Sequence, residues 1–436
     1  MDELKRVHGV QAISAIERDW ERVLGFMPVD LHALARSEKA LQRQRKVKSA
    51  DDLLRLVLNY AIGDLSLRLA GAWSTIADVA SISDVAVLKR LCKCRSWLVK
   101  LVGALIKRRV PFAQRAARLR LVDATVVSRP GSQGTDWRVH LSLDLECTGL
   151  DGIEVTDAHG GETFVRYAAQ PGDILIGDRI YAHASSLGPV LAAKADVVTR
   201  IGWQNLPLEA DGHRLDTIGW LRSMSGALAE QDVLLDTPQG RYGLRLVARR
   251  LPQEAADRNR QRLIRAARKK GKTVDERTLF AAGFVMVLTS LPTDPWTAEQ
   301  VIELYRIRWQ IETLIKRFKS LLHLDHLRAQ NPELAQVYLL GKILGALIID
   351  ELAGQVAARH PMWFRSVERP ISPWRLFAML HEGLRNAIRG DITLERIVAA
   401  LPLLDRYLRD SPRARRQQCA VARNLLRSLG VACALS

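Results

Sequence analysis

Cysteine is scarce in this chain, with five in 436 residues. Cys92 and Cys94 stand one residue apart, and Cys147, Cys419 and Cys433 are scattered without partner histidines or C-x-x-C spacing. That pattern excludes a disulfide framework and a zinc knuckle, and it fits a reducing, cytoplasmic setting. Long apolar runs are missing too. The ~20 residues needed to span a bilayer occur nowhere uninterrupted, and the best stretch, Leu339 to Ile349, carries Lys342. The N-terminal string MDELKRVHGVQAIS lacks the apolar core of a secretory signal. No internal repeat or low-complexity tract is evident, which sets aside solenoids and arrays. Acid is in deficit: 47 Asp and Glu face 65 Lys and Arg, a formal +18 with pI near 10.1. Such a balance favours a polyanionic partner. Hydrophobic residues make up 48% of the chain, enough for substantial cores in two to four domains. The expectation is a soluble, nucleoid-associated protein that binds double-stranded DNA and no membrane.

The residues that are present concentrate their chemistry around Glu312. Leu304, Ile307, Ile311, Leu314, Ile315, Phe318 and Leu321 recur with helical period, so Val301 to Leu322 is predicted to be one amphipathic helix. Arg308, Glu312, Lys316 and Lys319 follow Tyr305 at offsets of 3, 7, 11 and 14. At about 100° per residue these five side chains share roughly 80° of arc. An acid is set in a cationic stripe. A solvated ion-pair face is the plain alternative. The spacing Y-x2-R-x3-E-x6-K, in the string YRIRWQIETLIKRFK, resembles the signature helix of DDE transposases of the insertion-sequence-4 family.

Two-metal phosphoryl transfer requires convergent carboxylates holding ions about 3.5–4 Å apart, and the resemblance implies two aspartates upstream. LRLVDATVV places Asp123 within a β-branched apolar run, where burial without a partner or a metal is costly. A structural buried aspartate is the other reading. DILIGDRIYA places Asp178 just after a short apolar strand, followed by Arg179 and Tyr181, similar to the family's second acidic motif. A strand-ending Asp can equally cap a turn. By resemblance, Asp123, Asp178 and Glu312 are the catalytic and metal-binding acids. Hard oxygen ligands suit Mg²⁺ or Mn²⁺, as two ions. Tyr305, Arg308, Lys316, Lys319 and Arg179 are the expected DNA contacts, and Trp309 either stacks on a DNA end or packs in the core. The family further implies cleavage of the element ends, a hairpin intermediate, and joining to target DNA by a homodimer assembled on the terminal inverted repeats. Some relatives hold a flipped base with a Trp on the strand before the signature helix; Phe284 and Val285 stand there in this chain. A catalytically inactive DNA-binding regulator and a Mg²⁺-dependent nuclease are the rival readings.

The organisation expected is an α/β chain with an RNase H-like core interrupted by a mainly β insertion and flanked by all-α regions. Residues 1–115 read as a helical DNA-binding domain. Within it ADVASISDVAVLKRLCKCRSWL resembles a helix-turn-helix, with Ser81 to Ser83 as turn, Val85 to Cys94 as second helix, and Lys89, Arg90, Lys93 and Arg95 available to phosphates or simply to solvent. Residues 116–201 and 284–330 form the core. Its strands are Leu119 to Val127, Trp137 to Leu145, Gly152 to Val155, Asp173 to Ile176 and Asp196 to Arg200, with helices at Gly160 to Ala169 and Ala182 to Ala193. His140 reads as a satisfied core histidine. Asp178 and Glu312 are 134 positions apart, so residues 202–283 form an insertion. HRLDTIGWLRSM, DVLLDT and YGLRLVARRL read as its strands. The basic segment RNRQRLIRAARKKGKTVDERT, with Lys269, Lys270 and Lys272, is helical at first and suited to sequence-blind phosphate contact. FVMVLTSL returns the chain to a strand, and Thr297 with Gln300 caps the signature helix. Residues 331–436 read as a helical region, a candidate for dimerisation, with a basic end at Arg413, Arg415, Arg416, Arg423 and Arg427.

Overall fold

The computed structural model describes residues 18–27, 30–109, 118–129, 131, 132, 134–144, 149–361, 372–390 and 403. The expectations placed on Cys147, Cys419, Cys433 and the basic C-terminal arginines lie outside them. Contacts divide the chain into two units, one of Met1–Leu24, Leu31–Cys94 and Arg385–Ser436, the other of Gly25–Asp30 and Arg95–Leu384.

The first unit is helical where described: α1 (Leu31–Ser37), α2 (Ala50–Ile62), α3 (Leu67–Ile76) and α4 (Asp84–Cys92). Serines start three of these helices by accepting backbone N–H groups that lack a helical partner. Ser49 forms a capping box with Asp52, Ser66 accepts from Leu69, and Ser83 accepts from Ala86. The turn before α4 falls where the sequence places it, while α4 ends at Cys92, two residues early. Lys89 and Lys93 are exposed, and half-buried Arg90 donates to the Ala40 carbonyl at 3.4 Å. The end of the helix Pro373–Arg389 is tied into this unit: Arg55 donates to the Ile388 carbonyl (2.7 Å) and Trp73 to that of Arg389 (3.1 Å).

The second unit opens with α5 (Arg95–Arg109) and is built on one ten-stranded sheet. Its strands are β1 (Arg118–Val127), β2 (Trp137–Asp144), β3 (Gly149–Asp157), β4 (Asp173–Gly177), β5 (Asp196–Ile201), β6 (Glu209–Ala210), β7 (His213–Arg214), β8 (Leu228–Thr237), β9 (Gly240–Arg250) and β10 (Phe284–Thr289). They lie in the order β3-β2-β1-β4-β5-β10-β9-β8-β6-β7. β1, β4 and β5 run parallel, and all other pairings are antiparallel. Parallel strands are covered on both faces and become continuously apolar, and each residue of DILIG in β4 is buried. A single core joins Val122, Leu175, Leu187, Leu246, Phe284 and Leu288 across the central strands and the insertion.

Helices α6 (Ala184–Ala192), α7 (Thr217–Ser223), α8 (Gln253–Arg268), α9 (Glu276–Ala281), α10 (Ala298–Arg306), α11 (Trp309–Leu322), α12 (Pro332–Arg359) and α13 (Pro373–Arg389) complete the chain order. Two expectations are corrected. Gly160 to Ala169 forms only a 3-10 turn, Phe164–Tyr167, because paired glycines disfavour a helix start and Ala168 enters the left-handed region at φ 39°. HRLDTIGWLRSM is mostly α7, not a strand. Ile218 and Leu221 bury together at helical spacing, and only His213–Arg214 pairs in the sheet. The histidine expectation holds in part: His140 is fully buried and its Nε2 bonds Thr156 at 2.9 Å, but its buried Nδ1 has no partner; burial pushes its pKa down to about 4, so it is neutral.

Candidate active site

Parallel pairing brings two of the three acids to one end of the sheet. Leu121 of β1 pairs with Ile176 of β4, and two residues later come Asp123, on β1, and Asp178, just past the end of β4. Asp123 accepts from the Ala124 amide at 2.8 Å, and its carbonyl accepts from Tyr167, whose hydroxyl lies 3.3 Å from that of buried Tyr181. Asp178 caps the 3-10 turn Arg179–Tyr181, taking the Arg179 amide at 2.6 Å, while Thr199 donates to its carbonyl at 3.1 Å. The capping role anticipated as an alternative is real. Its carboxylate also faces Tyr305, whose hydroxyl donates at 3.5 Å.

Glu312 comes from the helical segment, and here the sequence expectation is corrected. The segment is not one uninterrupted helix: it is α10 and α11, joined at Ile307 and Arg308. Arg308 donates its amide to Tyr305 (3.1 Å), Gln310 to Ile307 (3.0 Å) and Ile311 to Arg308 (3.2 Å), all three-residue steps. A 3-10 stretch rotates side chains by about 120° per residue and shifts every later position around the axis. Tyr305, before the break, is only 9% exposed, while Trp309, just after it, is 61% exposed, which removes the core alternative for Trp309. The Thr297–Gln300 capping box forms as expected.

Arg308 is the hub. Its guanidinium lies 3.7 Å from the Asp123 carboxylate, donates to Glu312, and sits over the Tyr305 ring. Burial raises the Asp123 pKa to about 6. The Ala124 hydrogen bond and Arg308 pull it down, and Asp178 and Glu312 push it further up. For Arg308 burial works against the charge, yet Tyr305, Asp178 and Glu312 together hold its pKa above the ordinary guanidinium value. Opposite effects of burial on the two partners are expected, since desolvation disfavours whichever form is charged.

Sequence reasoning missed a fourth acid. Glu162 pairs with Arg138 at 3.6 Å; burial raises its pKa, Arg138 lowers it, and Asp123 and Asp178 raise it. No motif around the string GGETF signals it. A second missed residue is Lys342, fully buried on α12. It donates to the carbonyls of Leu322 and, at 2.9 Å, His323. These are the open carbonyls at the end of α11, so Lys342 fixes the helix that carries Glu312.

The structure thus brings Asp123, Asp178, Tyr305, Arg308 and Glu312 together. Exposed Lys316 and half-exposed Lys319 follow on α11, and Lys269, Lys270 and Lys272 stand exposed just past α8. Arg179, Arg200, Arg262, Trp203 and Phe284 line a cavity of about 420 Å³ beside Asp178. Among the described residues no group of three His, Cys, Asp or Glu stands close enough to hold a metal ion. As placed, the carboxylates do not fit a metal centre, because the cation between Asp123 and Glu312 is Arg308.

With that geometry established, comparison with known proteins is decisive. The model of the transposase DDE domain family matches residues 114–348, more than half of the chain. The chain belongs to the DDE transposase family. It is 39% identical to the putative transposase InsL for insertion sequence element IS186A of Escherichia coli, over 77% of this chain and 94% of that protein. The transposase for IS421, also of Escherichia coli, is equally similar at 39% with the same coverage. The transposase for IS231F of Bacillus thuringiensis is 26% identical over 82% of this chain and 83% of its own length. These relatives bear out the insertion-sequence-4 resemblance carried by the signature spacing. Among the described residues no helix is long and apolar enough to cross a membrane.

Proposed function

We propose that this chain, an insertion-sequence transposase by family, cuts the ends of its element and joins them to target DNA by phosphoryl transfer at Asp123, Asp178 and Glu312. The observation that carries the reading is the approach of acids from β1 and α11 around one half-buried arginine, Arg308, with Asp178 at the end of β4 meeting the adjoining Tyr305. An RNase H-like core is supported by the strand order β3-β2-β1-β4-β5, with β4 and β5 parallel to β1. DDE transposase domains in general use divalent ions, and hard carboxylate oxygens favour Mg²⁺ or Mn²⁺, as two ions. No step is routed through them here, since Arg308 stands between the acids.

The protein's own groups account for holding the DNA. Arg308 and Lys319 grip phosphates near the cut, with Tyr305, Lys316 and Arg179 beside them, and exposed Trp309 stacks on the terminal base. The cavity beside Asp178, with Phe284 where some relatives place a Trp, is of a size and lining to take a nucleotide drawn out of the duplex, as a hairpin route requires. Beyond it, α8 and Lys269, Lys270 and Lys272 follow the backbone without reading sequence. Residues 1–115 bind DNA, residues 331–436 serve dimerisation, and the protein acts on the nucleoid. Incubating the full chain with Mg²⁺ and the inverted repeats flanking its gene, then mapping product ends, is the test. Ends cut at the repeat boundary and joined to a second duplex are expected; unspecific degradation would point to a nuclease, and intact DNA in a stable complex to an inactive regulator.

A further inference from the structure

We propose that Arg245, on strand β9 of the insertion, is a positioning residue for DNA cutting: it fixes the start of α10 and so sets Tyr305 against Asp178. The inference rests on the role proposed for α10 and α11. Alternate side chains along a strand share a face, so Arg245, Val247 and Arg249 leave β9 on the same side. Arg245 pairs across the sheet with Thr289, the last residue of β10. From there its buried guanidinium donates through one end nitrogen to the carbonyls of Leu291 and Trp296, each at 3.0 Å. The other end nitrogen donates to Glu230 of β8. Further along the same face, Arg249 reaches Glu303 of α10 at 3.4 Å.

Leu291 and Trp296 stand at the two ends of the connection between β10 and α10. Pro292 and Pro295 within it carry no N–H, so the connection has few donors with which to fix its own path. One guanidinium holds both of its ends, through hydrogen bonds that its charge makes stronger than neutral ones. Thr297 follows at once and caps α10 together with Gln300. Near the other end of α10, Tyr305 is buried and its hydroxyl donates to Asp178 at 3.5 Å. Asp178 is held separately, by Thr199 of β5. A shift of Trp296 is carried along the helix and changes where Tyr305 meets that acid. The insertion hairpin thereby seats the helix that carries Tyr305, a task distinct from contact with DNA.

Fluorine NMR of the full-length protein carrying meta-fluorotyrosine tests this, with the Tyr305 signal assigned by its loss in Tyr305→Phe. Single-turnover cleavage and binding of an inverted-repeat duplex are measured beside it. Arg245→Met is expected to move the Tyr305 signal and to slow cleavage by roughly tenfold to a hundredfold, since small misplacements far from the chemistry have effects of that order. Duplex affinity should stay within roughly a few-fold of wild type. Arg245→Lys should recover part of both losses, because an ammonium keeps the charge and reaches some of the three acceptors. Arg241→Met breaks the ion pair to Glu209 elsewhere on β9 and should change neither readout. Should Arg245→Met fail to fold by circular dichroism, Glu230→Gln at an exposed position loosens the same guanidinium, and should move the signal and slow cleavage by roughly a few-fold. A wild-type Tyr305 signal and wild-type cleavage in the folded variant would overturn the proposal, as would equal losses in Arg241→Met. A moved signal with no cutting by any protein, wild type included, would overturn the cutting role of α10 and α11 and leave the seat of Tyr305 standing.

Discussion

At the scale of single residues, Asp123 is held in a state that the fold makes costly. Its pKa rises from the ordinary 3.8 of a free carboxyl to about 6 on folding, chiefly through burial. Between those values the native state keeps a proton that the unfolded chain has lost. Stability attributable to this group is therefore fully present below pH 3.8, falls as pH rises through 6, and stays low above it. Asp123→Asn removes the ionisation, so at pH 7.5 without metal it should stabilise the protein by up to about 3 kcal/mol, with the gain vanishing near pH 4. Urea unfolding of both proteins across that range checks the sign. Arg308 yields a separate expectation. Replacing its fork with a point charge in Arg308→Lys should leave folding unchanged yet weaken the DNA-end complex by roughly tenfold. Wild-type end binding in that variant would reduce Arg308 to a helix ion pair.

At the scale of elements, α11 matters most, because it carries Glu312 and is fixed at its far end by Lys342. Lys342→Met removes a charge-assisted contact and leaves buried helix-end carbonyls unpaired. A loss of about 1.5–3 kcal/mol is expected, with cleavage falling further than DNA affinity as Glu312 loses its setting. Equal losses in both would argue that Lys342 is merely structural. Elements differ in how plainly the sequence announces them. β4, the α4 start at Ser83 and the Thr297 capping box follow from local chemistry and fall where the string places them. The break at Ile307 and Arg308 is invisible because apolar residues keep helical period straight through it, and only contacts to distant Asp123 and Asp178 mark it. α7 was hidden for the opposite reason: a short segment between strands carries too few residues to declare a period. Glu162 and Lys342 act through neighbours far away in the chain, which no local pattern reports.

At the scale of the whole molecule, an excess of 18 positive charges should make DNA binding steeply salt-dependent. Each phosphate neutralised contributes a slope of roughly −0.9 in log K against log salt. Neutralising the basic residues from Arg265 to Lys272 should flatten that slope and weaken specific and unspecific duplexes alike, as filter binding at several salt concentrations would show. An unchanged slope would remove the insertion from the DNA path. The three acids were legible as an ordered trio, yet their meeting depends on β1 and β4 lying side by side in a sheet whose order no stretch of sequence states. The central claim is that Asp123, Asp178 and Glu312 perform the chemistry and contribute little to holding DNA. Cleavage and binding measured together on an inverted-repeat duplex with Mg²⁺, for Asp123→Ala, Asp178→Ala and Glu312→Ala, test it most directly. Each variant should lose cleavage altogether while keeping affinity within roughly a few-fold of wild type; robust Mg²⁺-dependent cutting by Glu312→Ala would contradict the account.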